Sequence, residues 1–195
     1  CCCQLEDCLV MTKMADSYIL KLFHGRKVFP TKTHHEKHEY QGAYTESWAE
    51  GIYQNVVALD LRSLYPSIIV SANLSPETIH NVDVHTEDPQ LGNIRVSQSP
   101  EGFLPKVIET LFKERAKYKN LMRQEELDSD KYKLYNLRQN ALKILLNALY
   151  GQTAYVNSRI YEVRVAEAIT WVGRQIIHWS KDYLEEIGYN TIYCD

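Results

Sequence analysis

No apolar run in the chain approaches the about 18 residues of a membrane-spanning helix, so no transmembrane segment is expected. Nor is there an excess of positive charge: 22 Lys and Arg stand against 25 Asp and Glu, a formal net charge of -3. Composition therefore does not mark a nucleic-acid binder. Any basic surface must be local and offset by acidic clusters such as Glu125-Glu126 and Glu185-Glu186. Cys1-Cys2-Cys3-Gln4 offers neither an initiator Met nor a basic n-region, so no signal peptide is expected, and the start reads as a cut through a longer protein. Of five cysteines, four fall in the first eight residues; the Cys3 to Cys8 spacing fits no common zinc pattern. Reduced thiols of an intracellular, cytoplasmic protein are the expectation. What is present is 195 residues, 45% hydrophobic and 24% charged, enough to bury a core.

Residues 5–27 mix helix and strand signals, and residues 18–23 fit either. Phe29-Pro30-Thr31 marks a break. His34 and His38 are four apart, as helical metal ligands are, but residues 33–39 lack apolar periodicity and read as a solvated loop. Glycine-bearing turns at Gly42 and Gly51 lead to an apolar run, residues 55–59, expected to be a buried strand. Asp60 should then stand at the strand's C-terminal end, where it serves either as a turn cap or as a metal ligand. Pro66 fits the first turn of a helix that continues through Ser67-Ile68-Ile69-Val70. After Asn73-Leu74-Ser75-Pro76-Glu77-Thr78 the chain turns polar, with short strands expected around Ile94 and Val96.

Two long helices follow, expected over residues 105–126 and 131–150 and joined by a tight connection into an antiparallel hairpin. On the first, Ile108, Leu111, Phe112, Tyr118 and Met122 form one stripe, and Arg115 and Lys119 fall within it. Two cations on an apolar stripe either snorkel past a core edge, pair with carboxylates, or meet a polyanion. On the second, Leu142, Leu145, Leu146 and Leu149 form the buried stripe. Asn136, Gln139, Asn140, Lys143, Asn147 and Tyr150 share the opposite, polar arc, and Gly151 stops the helix. A third helix is expected over residues 163–187, ending at Gly188, with Trp171, Ile177 and Leu184 as core. Residues 189–195 read as a strand ending in the carboxylate of Asp195.

Asp60-Leu61-Arg62-Ser63-Leu64-Tyr65-Pro66-Ser67-Ile68-Ile69 resembles motif A of the family B DNA polymerases without a mismatch. Lys143, Asn147, Tyr150 and Gly151 resemble motif B at its spacing, with Ala148 where Ser is commoner. Tyr193-Cys194-Asp195 resembles the opening of motif C, with Cys194 in the Gly position. The second motif C Asp would lie two residues beyond Asp195. Asn73 to Thr78, Val163 to Glu167 and Gly173-Arg174 also resemble the family, most closely its archaeal replicative members. The resemblance is specific from about Glu50 onward.

The resemblance implies an α+β fold: a palm-type antiparallel sheet with packed helices, plus a two-helix antiparallel fingers hairpin. Residues 1–50 would end the region preceding the palm. Residues 51–100 would be palm with motif A, 101–151 fingers with motif B, and 152–195 palm with the start of motif C. The implied function is template-directed DNA synthesis by a DNA-directed DNA polymerase, a nucleotidyltransferase acting in DNA replication. A primer 3′-hydroxyl attacks a deoxynucleoside triphosphate. Two Mg²⁺ ions about 3.5–4 Å apart would serve as cofactor, with Asp60, the Leu61 carbonyl and Asp195 as metal ligands on adjacent strands. Ser63 and Leu64 N–H groups, Arg115, Lys119, Lys143 and Asn147 would bind the triphosphate. Lys143 would also protonate the leaving pyrophosphate. Tyr65 would exclude a 2′-hydroxyl, and Tyr150 and Gly151 would pack on the nascent base pair. Implied partners are primer–template DNA and a sliding clamp, with no membrane. The stop at the first motif C Asp is either an arbitrary fragment boundary or the N-terminal side of an intein-interrupted or split polymerase, and in the second case a complementary C-terminal polymerase chain joins the partners. The chain alone is expected to be inactive. The competing readings are a non-catalytic polymerase-like DNA-binding scaffold, which would need degraded motifs, and an RNA-making enzyme, against which Tyr65 argues.

Overall fold

The computed structural model describes residues 4–48, 50–83 and 87–195, with the Leu5 and Cys8 side chains left out. The N-terminal cysteines Cys1 to Cys3 lie outside the described residues, so the reading of that cluster finds no structural counterpart. A 3-10 turn, Leu5–Leu9, leads into α1, Met11–Phe23, which decides residues 18–23 as helix. Ala15 and Ile19 of α1 are buried, so its packing, not its mixed propensity, sets its state. Residues 33–39 form the expected loop. It is tied down by Tyr161, whose ring stacks on His35 at 4.8 Å and whose hydroxyl donates to the Glu36 carbonyl. His34 faces the Asn157 side chain at 2.9 Å.

Strand β1, Glu46–Ser47, is two residues long. The expected buried strand over residues 55–59 does not form. Those residues have no ladder partner among the described residues and are exposed, with Val57 at 77% and Leu59 at 74%. A strand needs a neighbour for its N–H and C=O groups and a surface for its apolar face, and this segment has neither here. Helix α2, Leu64–Ser71, follows at once. Pro66 sits in its first turn as expected, and Ile68 and Ile69 point into the core. Its N-cap, Ser63, is left-handed at φ 53°.

Strands β2, Ile79–Asn81, β3, Gln90–Leu91, and β4, Ile94–Val96, form an antiparallel sheet in the order β2-β4-β3. Helix α3, Phe103–Arg123, starts two residues earlier than its sequence pattern suggests. A cap built from distant sequence explains this. Asn73 Oδ1, Glu77 Oε1 and Ser75 Oγ accept from the Gly102, Phe103 and Leu104 amides at 2.8, 2.8 and 3.3 Å. Helix α4, Asp130–Ala154, is capped by Ser129, which accepts from the Tyr132 amide at 3.1 Å. The two helices are antiparallel: Tyr118, late in α3, meets Tyr135 and Arg138, early in α4.

Gly151 does not stop α4, which runs one turn further. Gln152 and Thr153 are buried there, and Gln152 donates to the Thr12 carbonyl at 3.0 Å. That burial outweighs the roughly 1 kcal/mol a helical glycine costs. Gln139, placed on the wet arc by pattern, is buried at 7% exposure and bonds Asn136 and Asn140. Helix α5, Val163–Glu186, ends at Gly188 with φ +93°, and the Tyr189 amide reaches back to the Leu184 carbonyl. Its buried face is Val165, Ala166, Ala168, Ile169, Thr170, Gly173 and Arg174. Trp171, Ile177 and Leu184 are half-buried, not core, because that face sits against α2 and the second half of α5 runs beyond it. Of the final expected strand only β5, Tyr193–Cys194, forms, and it pairs with β1. Asp60 and Asp195 therefore do not stand on adjacent strands.

The core gathers around α2. Ile68, Ile69 and Leu74 meet Leu104, Val107, Ile108 and Leu111 of α3, Leu145, Leu146 and Leu149 of α4, Val165 and Ile169 of α5, and Val96 of β4. Among the described residues no helix is long and apolar enough to cross a membrane.

Candidate functional site

The α3 stripe carries its cations inward, as the pattern indicated. Arg115 and Lys119 are half-buried on the side shared with α4. Among the described residues Arg115 Nε is buried with no hydrogen-bond acceptor. Burying a guanidinium N–H without a partner costs on the order of 1–3 kcal/mol, a cost that an acceptor such as an anion would relieve. Arg115, Lys119 and Arg123 stand four residues apart, about 6 Å per step along the axis. The Lys119 ammonium is held below its ordinary pKa, first by Arg115, then by burial, then by Arg62, Arg123 and Lys143. Five cations from α2's entry turn, α3 and α4 thus converge. None of the five pairs with a carboxylate among the described residues. A chain of net charge -3 gathers them against their mutual repulsion.

Beside this cluster the motif A and motif B tyrosines touch. The Tyr65 and Tyr150 rings are 4.8 Å apart, tilted by 53°. Tyr150 shares a hydrogen bond with the Tyr40 hydroxyl at 3.0 Å. Burial, the Tyr40 bond and the nearby Tyr40 and Tyr65 phenols push the Tyr150 phenol far above its usual range. Burial and then Tyr40 push Tyr65 up as well, against the opposing charge of Arg174. Both stay neutral in any working buffer, so neither presents a phenolate to a polyanion.

Asn147, Lys143 and Gly151 lie on the exposed side of α4, near the cations and the tyrosine pair. Ser63 and Leu64 form the turn into α2, whose first amides lack helical acceptors. Asp60, Leu61 and Asp195 are exposed. Hard oxygen donors of this kind suit Mg²⁺. Yet among the described residues no group of three or more His, Cys, Asp or Glu converges on one point. The donor types fit a metal, and the donor count is incomplete.

Sequence reasoning passed over Arg62 and Arg123. Arg123 was legible, since it continues the four-residue spacing of Arg115 and Lys119. Arg62 occupies an unconstrained position of the decapeptide and gave no signal. Tyr40, in a polar loop, gave none either.

The class these observations define is a mixed α+β fold in which an antiparallel helical hairpin carries the cation cluster. A sequence model of DNA polymerase family B matches residues 10–194, and the chain belongs to that family. It is 36% identical over 183 residues to DNA polymerase 1 of Pyrococcus abyssi, covering 90% of this chain and 24% of that one. It is 39% identical over 159 residues to a DNA polymerase of Desulfurococcus sp. (strain Tok), covering 80% and 20%. The structure of the family B DNA polymerase from the hyperthermophilic archaeon Pyrobaculum calidifontis superposes with a TM-score of 0.76 at 31% identity, over 95% of this chain and 25% of that one. The chain spans about a fifth to a quarter of the length of these relatives.

Proposed function

We propose that this chain supplies the nucleotide-binding palm and fingers of a DNA-directed DNA polymerase. The observation that carries the reading is the five-cation cluster around Lys119, with the buried, unpartnered Arg115 Nε inside it. Such a cluster is costly unless a multiply charged anion neutralises it, and a nucleoside triphosphate is such an anion. Arg115, Lys119, Lys143 and Asn147 hold its phosphates, with the Ser63 and Leu64 amides contributing from the turn. Lys143 Nζ then passes a proton to the leaving pyrophosphate oxygen. Tyr65 lies under the sugar and leaves no room for a 2′-hydroxyl. Tyr150 and Gly151 pack against the new base pair, with primer–template DNA beyond.

Asp60, the Leu61 carbonyl and Asp195 are the residues that would hold Mg²⁺. When bound, the ions would stabilise charge on the attacking and leaving oxygens of the transfer. With only two carboxylates assigned to the ions, the chain by itself is expected to bind triphosphate without extending a primer.

The test is titration of the purified chain with dATP and with dAMP at low and high salt, alongside primer extension with Mg²⁺. The reading expects dATP to bind at least about tenfold tighter than dAMP and salt to weaken it. Equal affinity for the two would refute the triphosphate site. Primer extension by the chain alone would refute the incomplete carboxylate set. Tyr65→Ala is expected to erase the preference for dATP over ATP.

A further inference from the structure

The tyrosine pair is held by a closed circuit of contacts that starts in the loop carrying Tyr40. Thr170, Gly173 and Arg174 share one face of α5 at the i, i+3, i+4 spacing. Two of them fasten the loop just after Tyr40. Thr170 Oγ1 donates to the Gln41 carbonyl at 2.7 Å, and Arg174 Nη1 donates to the Gln41 and Gly42 carbonyls at 2.8 and 2.7 Å. The third, Gly173, forms the floor under Tyr65: a Cβ placed there would come within 3.3 Å of Tyr65 Cε1. Tyr65 is therefore confined between α5 below and the Tyr150 ring at 4.8 Å beside it.

Tyr150 is the wall of this arrangement, and its free end is its hydroxyl. Among the described residues that hydroxyl hydrogen-bonds Tyr40 alone, at 3.0 Å. The same stretch of α5 thus fixes the floor directly and the wall through Tyr40. The loop carrying Tyr40 is irregular, and Tyr40 itself is half-buried in it.

We propose that Tyr40 is a positioning residue for sugar selection: its hydroxyl fixes the Tyr150 ring, which fixes the depth of Tyr65 beneath the sugar. This rests on the reading of Tyr65 as the group that excludes a 2′-hydroxyl. Removing the Tyr40 hydroxyl leaves both rings in place but lets Tyr150 swing, and Tyr65 then yields to a bulkier sugar. A single part-buried hydrogen bond of this kind is worth about three- to tenfold in selectivity.

The test measures dissociation constants of dATP and ATP for the 195-residue chain and its Tyr40→Phe, Tyr150→Phe and double variants. Thermal melts confirm that each is folded. The preference for dATP is expected to fall about three- to tenfold in Tyr40→Phe and by a similar factor in Tyr150→Phe. The double variant should lose no more than either single, since both remove the same bond. A merely structural role would move affinity for both nucleotides together and leave their ratio alone. An unchanged ratio in Tyr40→Phe, with the ratio lost in Tyr65→Ala, overturns the role of Tyr40 while the reading of Tyr65 stands. Additive losses in the double variant also overturn it. A wild-type chain with no preference at all overturns the reading of Tyr65, and this inference with it.

Discussion

Replacing Lys119 with Met should make the chain more stable and its hold on a triphosphate weaker. Lys119 faces Arg115 one turn before it and Arg123 one turn after it on the same helix, with Arg62 and Lys143 close by. Each like-charge pair four residues apart costs roughly 0.2–0.5 kcal/mol, so the two in-helix pairs alone cost about 0.4–1 kcal/mol. Met has nearly the helix propensity of Lys and keeps its apolar stem, so little is lost in exchange. For a chain of this size the gain should raise Tm by about 1–4 °C. Losing one charged hydrogen bond to phosphate should weaken dATP binding roughly ten- to hundredfold. The pH dependence has a definite sign. Because the folded chain holds the Lys119 proton less tightly than the unfolded chain, stability should climb as pH rises through the folded value toward the ordinary 10.5. Lys119→Met should lack that climb, and saturating dATP should suppress it in the wild type. Thermal unfolding and calorimetric titration, run at low salt, read both effects. A lower Tm, or unchanged dATP affinity, would refute the reasoning that the cluster is a strained anion site.

The remaining predictions concern the frame. Gly102→Ala should destabilise by about 1–3 kcal/mol in urea, because the new Cβ would fall 2.6 Å from Ser75 Cβ at the α3 cap; no effect would mean the cap is loose. Asp16 is buried against Arg159 at 2.6 Å and Lys32 at 2.9 Å. Asp16→Asn should cost about 3 kcal/mol at pH 7. Burial raises the Asp16 pKa, but these two partners outweigh it and hold it below 3.8, so wild-type stability should be present above about pH 4 and fall as pH drops through the folded value. Denaturation curves of the variant should lack that acid limb. Val57→Asp should change stability by less than about 0.5 kcal/mol, since Val57 is 77% exposed; a loss above about 2 kcal/mol would show residues 55–59 buried in solution.

Helical periodicity carried most of what was legible. The α3 and α4 hairpin, the inward position of Arg115 and Lys119, the leucine stripe of α4 and the Gly188 stop of α5 all follow from spacing along one helix. The strand over residues 55–59 was misread because its apolar run has the composition of a buried strand, and composition cannot supply the neighbouring strand. Gly151 was misread as a stop because a local rule ignored Gln152 and Thr153, which bury against α1 and the turn after α4. Gln139 was placed in solvent because one polar residue on a polar arc gives no hint of burial.

The sequence by itself determined the family, through three ordered motifs, and the element order, through helical period and turn chemistry. These depend on residues near one another in the chain. Only the tertiary structure decided how Arg62 joins Arg115, Lys119, Arg123 and Lys143, that Asn73, Ser75 and Glu77 cap a helix about thirty residues away, and that Tyr40 reaches Tyr150. These are meetings across long loops. They are fixed by where α2, α4 and α5 pack, a choice made by the whole core at once and written in no single stretch of the chain.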